Sequence, residues 1–266
     1  MKVTVLVENT TCDSMYECEH GLSLYIETKN HKILFDAGQT NIFEENARKL
    51  GIDLNEVDIA ILSHGHYDHG GGIKRFLEIN DKAPLYISKH AFGEYWNDKG
   101  NYIGLSKEWK DDKRLVFVED EYRIDDEMIL YSCNQSRKKY SINAFGLKKS
   151  NAGELCEDDF QHEHYLMICE EDKEILFSGC SHKGIQNIVE WFEPDVLIGG
   201  FHLAKLDPET EDKKILEEIA EELLQTKTIY CTGHCTGTKP YKYMKQIMGD
   251  RLRNLSTGKC ILTESE

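Results

Sequence analysis

The chain has 266 residues, 40% hydrophobic and 30% charged, with a formal net charge of −16. That length suits one large α/β domain or two small ones. No apolar run approaches the ~20 residues of a membrane helix, and so acidic a surface argues against a nucleic-acid partner, which needs clustered Lys and Arg.

MKVTVLVENTT enters a strand pattern at once, without the apolar stretch and cleavage site of a secretory signal, so a cytoplasmic location is expected. Nine cysteines lacking any C-x-x-C pair are then expected to be reduced thiols. Short runs rich in Val, Ile, Leu and Tyr predict strands at 3–8, 22–28 and 31–38, a helix at 42–51, a strand at 57–63, a helix at 72–80, then strands at 83–88, 114–120, 128–133, 164–171 and 173–179. A helix at 185–192, a strand at 195–200, a helix at 211–225, a strand at 227–233 and a helix at 241–249 complete the chain. In the longest helix Ile215, Leu216, Ile219, Leu223 and Leu224 form one apolar stripe. Strands in series followed by strand–helix alternation predict an α/β fold of two mixed sheets packed together with helices outside, a four-layer αββα sandwich over residues 1–266. Residues 89–112 and 134–163 lack periodicity and read as lid-like insertions or plain surface loops.

Between the strand at 57–63 and the helix at 72–80 lies SHGHYDHGGG. His64 and His66 converge if the loop curls, whereas the adjacent Asp68 and His69 project in different directions, so the pattern suits two neighbouring centres. Imidazole and carboxylate together suit Zn, Fe, Mn or Co, and two such divalent ions ~3.5–4 Å apart would polarise an oxygen and supply a bound hydroxide. The plain alternative is a surface cluster of histidines, which the position directly after an apolar strand disfavours.

H-x-H-x-D-H in this setting resembles the metallo-β-lactamase superfamily, and LFDAG (34–38), SGC (178–180) and TGHCTG (232–237) follow in the family's order. EHGLS (19–23), FQHEHYLMI (160–168), GCSHKGI (179–185) and GGFHL (199–203) are similar to the subgroup of the dihydropterin–ribosylaminobenzene-phosphate synthase of methanopterin biosynthesis. The resemblance implies metal ligation by His64, His66, Asp68 and His69, with His234 as the last ligand. It also implies a bridging aspartate where this chain has Cys180; either Cys180 bridges or His182 takes over. For the third histidine the candidates are His162, then Glu163 and His164, and strand alternation would put His162 and His164 on one face. Asp36 is expected to accept from a ligand histidine and fix its tautomer.

On the substrate side, His20 and His202 stand beside glycines, and His202 and Asp68 are candidates for moving protons or holding water. Arg137 and Lys138, with Lys139, Lys148 and Lys149, form a basic cluster that suits a phosphate if it folds over the metals, although charge runs are usually solvated. Tyr95, Trp96, Tyr102 and Trp109 would suit a ring-binding wall, or simple packing. The expected function is a dinuclear metal-dependent hydrolase, using a metal-bound water on a small anionic substrate. The alternatives are transfer of a dihydropterin diphosphate to an aryl amine ribose phosphate, and a non-catalytic iron or redox sensor built on Cys180 and Cys235. Without an export signal, an antibiotic-hydrolysing role is not expected.

Overall fold

In the computed structural model, which describes residues 1–262, the apolar runs become strands whose alternate side chains enter different cores. Ile33 and Phe35 face the interior between two sheets, while Leu34 between them faces the helices outside. The described strands are β1 (Lys2–Val7), β2 (Ser23–Glu27), β3 (Lys32–Phe35), β4 (Ile59–Leu62), β5 (Leu85–Ser88), β6 (Tyr95–Trp96), β7 (Leu115–Val118), β8 (Glu121–Arg123) and β9 (Met128–Tyr131). They continue as β10 (Lys148–Asn151), β11 (Glu154–Glu157), β12 (Tyr165–Glu170), β13 (Lys173–Ser178), β14 (Val196–Gly199), β15 (Ile229–Thr232), β16 (Leu252–Asn254) and β17 (Cys260–Leu262). The helices are α1 (Ile42–Lys49), α2 (Tyr67–Gly70), α3 (Ile73–Ile79), α4 (Ile185–Phe192), α5 (Asp212–Leu223) and α6 (Thr238–Met248).

One sheet runs β17-β1-β2-β3-β4-β5-β7 and the other β16-β15-β14-β13-β12-β9-β8. Their facing sides bury one core, in which Phe35 and Phe177 meet at 5.8 Å between ring centroids. Phe43 and Phe76 of α1 and α3 cover the first sheet, and Ile188, Leu216 and Met244 of α4, α5 and α6 cover the second, which makes the four-layer αββα sandwich. The α5 stripe is Leu216, Ile219, Ala220 and Leu223; Ile215 is exposed, a correction to the expected pattern. No described helix is long and apolar enough to cross a membrane.

Both sheets are mixed, and β3 with β4, β13 with β14, and β14 with β15 pair in parallel. The carboxyl ends of these strands open on one rim, where mixed α/β folds place their ligands. The two insertions pair with each other in a small sheet of order β11-β10-β6. Lys205, after β14, ties them to the body by donating to Asp98 Oδ2 (2.6 Å) and to the Phe145 carbonyl (2.7 Å).

Candidate metal centre

The histidine loop is built around Asp36, which follows β3 in the left-handed region at φ +60°. Its carboxylate accepts from the Ser63 N–H (2.7 Å), the Ser63 hydroxyl (2.7 Å) and His69 Nδ1–H (2.6 Å). With its proton spent on Asp36, the Ser63 hydroxyl accepts from His64 Nδ1–H at 2.8 Å. One buried carboxylate therefore sets the tautomers of two histidines and leaves each Nε2 with a lone pair.

The opposing half comes from three distant places. After β13, Gly179 passes so close to the loop that a Cβ there would lie 2.1 Å from Ser63 Oγ. Gly179→Ala is accordingly expected to cost about 1–3 kcal/mol through overpacking, read as a lower midpoint in chemical denaturation. The turn beyond is held by buried Glu163, which accepts from the N–H groups of His182 (2.7 Å) and Lys183 (3.1 Å) and from the Tyr165 hydroxyl (2.7 Å). It delivers His182 Nε2 to 3.3 Å from His64 Nε2. His234, at φ +50°, donates its N–H to Glu8 Oε1 (2.6 Å) and its Nδ1–H to Asn9 Oδ1 (2.9 Å), an oxygen that also accepts from the Gly21 N–H.

His69 and His234 thus each spend the Nδ1 proton on an oxygen, yet their Nε2 atoms face each other at 3.1 Å. Two lone pairs at that distance repel unless a cation lies between them. His66 Nε2 and His182 Nδ1 are also buried without a protein partner. The donor atoms of His64, His66 and His182 lie within 4.8 Å of one another, as do those of His64, His69 and Cys180, and those of His20, Asp68 and His234. Such donor sets fit divalent transition metals.

The electrostatics agree with a cation site. Burial disfavours a charge on His69, but the carboxylates of Asp36 and Asp68 outweigh it and raise its pKa to about 9. Burial lowers His66 to about 3 and carries His64 and His182 well below the usual imidazole range. Although burial opposes it, His69, His20 and His234 hold Asp68 well below the carboxylate range. Cys235 is the readier thiolate beside Cys180: burial opposes ionisation, but the Cys180 thiol and His202 stabilise it.

Several expected residues are placed otherwise. Residues 162–164 precede β12, so strand alternation does not govern them. His162 accepts from the Gly65 N–H (3.0 Å) and donates to Asp158 Oδ2 (3.1 Å), so both ring nitrogens have protein partners, and its donor atom also lies within 4.8 Å of those of His66 and Asp158. His164 donates to the Leu62 carbonyl (2.7 Å), and Glu163 is occupied by the turn. Arg137 and Lys138 do not line the cavity below; the Arg137 carbonyl accepts from Trp191 of α4 (2.9 Å) and Lys139 pairs with Glu190 (3.1 Å). Trp109 packs on Phe92, Trp96 on Tyr102, and Tyr95 on His162.

A cavity of about 400 Å³ opens over the centre. Its apolar wall is Tyr67, Ile103, Phe145 and Leu147, and its polar groups include His20, Asp68, Asn97, His202 and Lys205. His20 Nε2 lies 3.2 Å from Asp68 Oδ2. His202, at φ +55°, places its ring 4.2 Å from that of His182, with Nε2 buried and unpartnered. Glu8, Asn9, Ser63 and Phe145 escaped the sequence reading; only Ser63, directly before His64, and the polar end of β1 carried any signal.

Residues 16–130 match the family described as the metallo-beta-lactamase superfamily. The chain is 32% identical to the uncharacterized protein MJ0448 of Methanocaldococcus jannaschii, over 92% of this chain and 94% of that one. It is 30% identical to the 7,8-dihydropterin-6-methyl-4-(beta-D-ribofuranosyl)-aminobenzene-5'-phosphate synthase of the same organism, over 98% and 96% of the two chains. Among solved structures, Tm1679, described as a metal-dependent hydrolase of the beta-lactamase superfamily, superposes with a TM-score of 0.80 at 26% identity over the whole of both chains. Zinc-bound PqqB from Methylobacterium extorquens shares the fold, with a TM-score of 0.60 at 10% identity over 98% of this chain and 99% of that one. The chain belongs to the metallo-β-lactamase superfamily.

Proposed function

We propose that the protein is a cytoplasmic metal-dependent enzyme that binds two divalent ions, zinc or iron with manganese as the harder alternative, and hydrolyses a small anionic substrate. The observation that carries this reading is the buried facing pair of ring nitrogens, His69 Nε2 and His234 Nε2, at 3.1 Å, which both spend their Nδ1 protons elsewhere and so need a cation, a proton or a metal ion, between them. In it, His64, His66 and His182 would hold one ion, and His69 and His234 would give nitrogens to the other, with Cys180 Sγ 3.2 Å from His69 Nε2 and Asp68 Oδ2 3.3 Å from His234 Nε2 beside them. Bound there, the ions would polarise a substrate oxygen and acidify a water.

The chain's own groups supply the rest. Asp68, with His20 on its free side, orients the attacking oxygen. His202, at the cavity edge beside His182, is positioned to pass a proton to the leaving group. Tyr67, Ile103, Phe145 and Leu147 exclude water and take an apolar or ring portion, while Lys205 and Asn97 offer donors to an anionic one.

Group transfer is the second reading, favoured by the synthase that is 30% identical over nearly the whole chain. Metal analysis of gently purified protein is expected to find about two ions per chain. Assays against aryl phosphodiesters, and against a dihydropterin diphosphate with an aryl amine ribose phosphate, then separate the readings. Phosphodiester turnover that stops on chelation supports hydrolysis, coupling without hydrolysis replaces it with transfer, and less than one ion per chain sinks both.

A further inference from the structure

Cys180 and Cys235 stand out among the cysteines. Both are buried, both line the cavity, and they belong to different turns, after β13 and after β15. Cys231, by contrast, is buried in the core between the sheets, and Cys12, Cys18, Cys156 and Cys260 are exposed. The backbone makes room for the second thiol: a Cβ at Gly200 would lie 2.3 Å from Cys235 Sγ. That sulfur accepts the His202 N–H at 3.3 Å and sits 3.5 Å from the Cys180 carbonyl.

The donor atoms of Cys180, His234 and Cys235 all lie within 4.8 Å of one another. Around a tetrahedral zinc with bonds of about 2.3 Å to sulfur, two thiolates stand roughly 3.8 Å apart. One ion is therefore within reach of all three donors. A fourth is at hand, because His69 Nε2 lies 3.2 Å from Cys180 Sγ and 3.1 Å from His234 Nε2.

We infer that Cys235 is a ligand of the second metal position, which is a sulfur-rich site of Cys180, Cys235, His234 and His69 rather than one completed by Asp68. This deepens the dinuclear reading above and rests on it. Each thiol gives up its proton to solvent on ligation, so two thiolates balance the charge of one divalent ion. Soft donors favour zinc or ferrous iron over manganese or magnesium at this position, and they release Asp68 to the substrate side with His20.

The test is X-ray absorption on the full chain loaded with zinc. Wild type is expected to show a sulfur shell at about 2.3 Å averaging one sulfur per zinc at two zincs per chain. C235S is expected to lose about half of that shell and to bind its second zinc at least about tenfold more weakly, whereas C231S keeps both. Cobalt loading gives a second readout, a near-ultraviolet thiolate charge-transfer band that C235S and C180S each reduce by about half. Should C235S fail to fold, cadmium NMR of the wild type counts thiolates directly, and one resonance at the position of a two-sulfur site is expected. A sulfur shell that C235S leaves unchanged, or a cadmium resonance with a single thiolate, overturns the assignment while the dinuclear reading stands. Protein that takes up no zinc removes both.

Discussion

Asp36→Ala is expected to lower the unfolding free energy by about 3–5 kcal/mol, the size of loss when one member of a buried charged network is removed. The carboxylate is fully buried and accepts three hydrogen bonds, so truncation strands the Ser63 hydroxyl and His69 Nδ1–H away from water. Asp36→Asn separates shape from chemistry. The amide still accepts from the Ser63 N–H, but its NH2 group faces a ring nitrogen that must then become an acceptor. His69 would move its proton to Nε2, the atom that faces His234, and could no longer ligate. Metal affinity at that position is expected to fall 10–100-fold, the usual cost of losing a partner behind a ligand, in chelator competition on folded protein. Wild-type affinity in Asp36→Asn would show that the carboxylate does not govern the tautomer.

Metal-free protein is expected to melt highest near pH 6.5 and to lose stability on either side. On the alkaline side His69 decides: its folded pKa is raised from 6.5 to about 9, so its contribution is complete below pH 6.5 and is lost as the pH rises through about 9. The contribution is on the order of 3 kcal/mol. On the acid side the sign reverses. His66 is lowered from 6.5 to about 3, so the unfolded chain takes a proton that the folded one refuses, and stability falls as the pH drops from 6.5 towards 3. Zinc-loaded protein should lose the alkaline decline, because the ion replaces the proton between His69 and His234. Melting curves of chelated and zinc-loaded samples across this range provide the check, and a flat metal-free profile between pH 6.5 and 9 would contradict the electrostatics described for His69.

How much of this was readable beforehand depended on how far apart the interacting residues are. The four-layer architecture was legible because β4 residues alternate between two apolar cores, Ile59 and Ile61 to one and Ala60 and Leu62 to the other, and α4 repeats its buried positions at helical spacing. The short strands β6, β8, β10, β11, β16 and β17 were not, since they are mostly exposed edge pieces whose pairing, not their side chains, makes them strands. Helix α6 begins at Thr238, ahead of its apolar pattern, because Pro240 is tolerated in a first turn.

The centre divides in the same way. His64, His66, Asp68 and His69 lie within six positions, and local chain geometry alone brings them to one loop. That Gly65 and Asp158 partner both ring nitrogens of His162, while His182 Nε2 stands 3.3 Å from His64 Nε2, is visible only in the tertiary structure. The same holds for Asn9 orienting His234 across 225 positions, and for the cavity wall formed where two aperiodic insertions pair. What the sequence by itself determined is the fold class and the near half of the centre, both set by side-chain periodicity and neighbouring residues. Only the tertiary structure decided the far half and the cavity, because those depend on which atoms of distant turns meet and on which lone pairs remain unspent when they do.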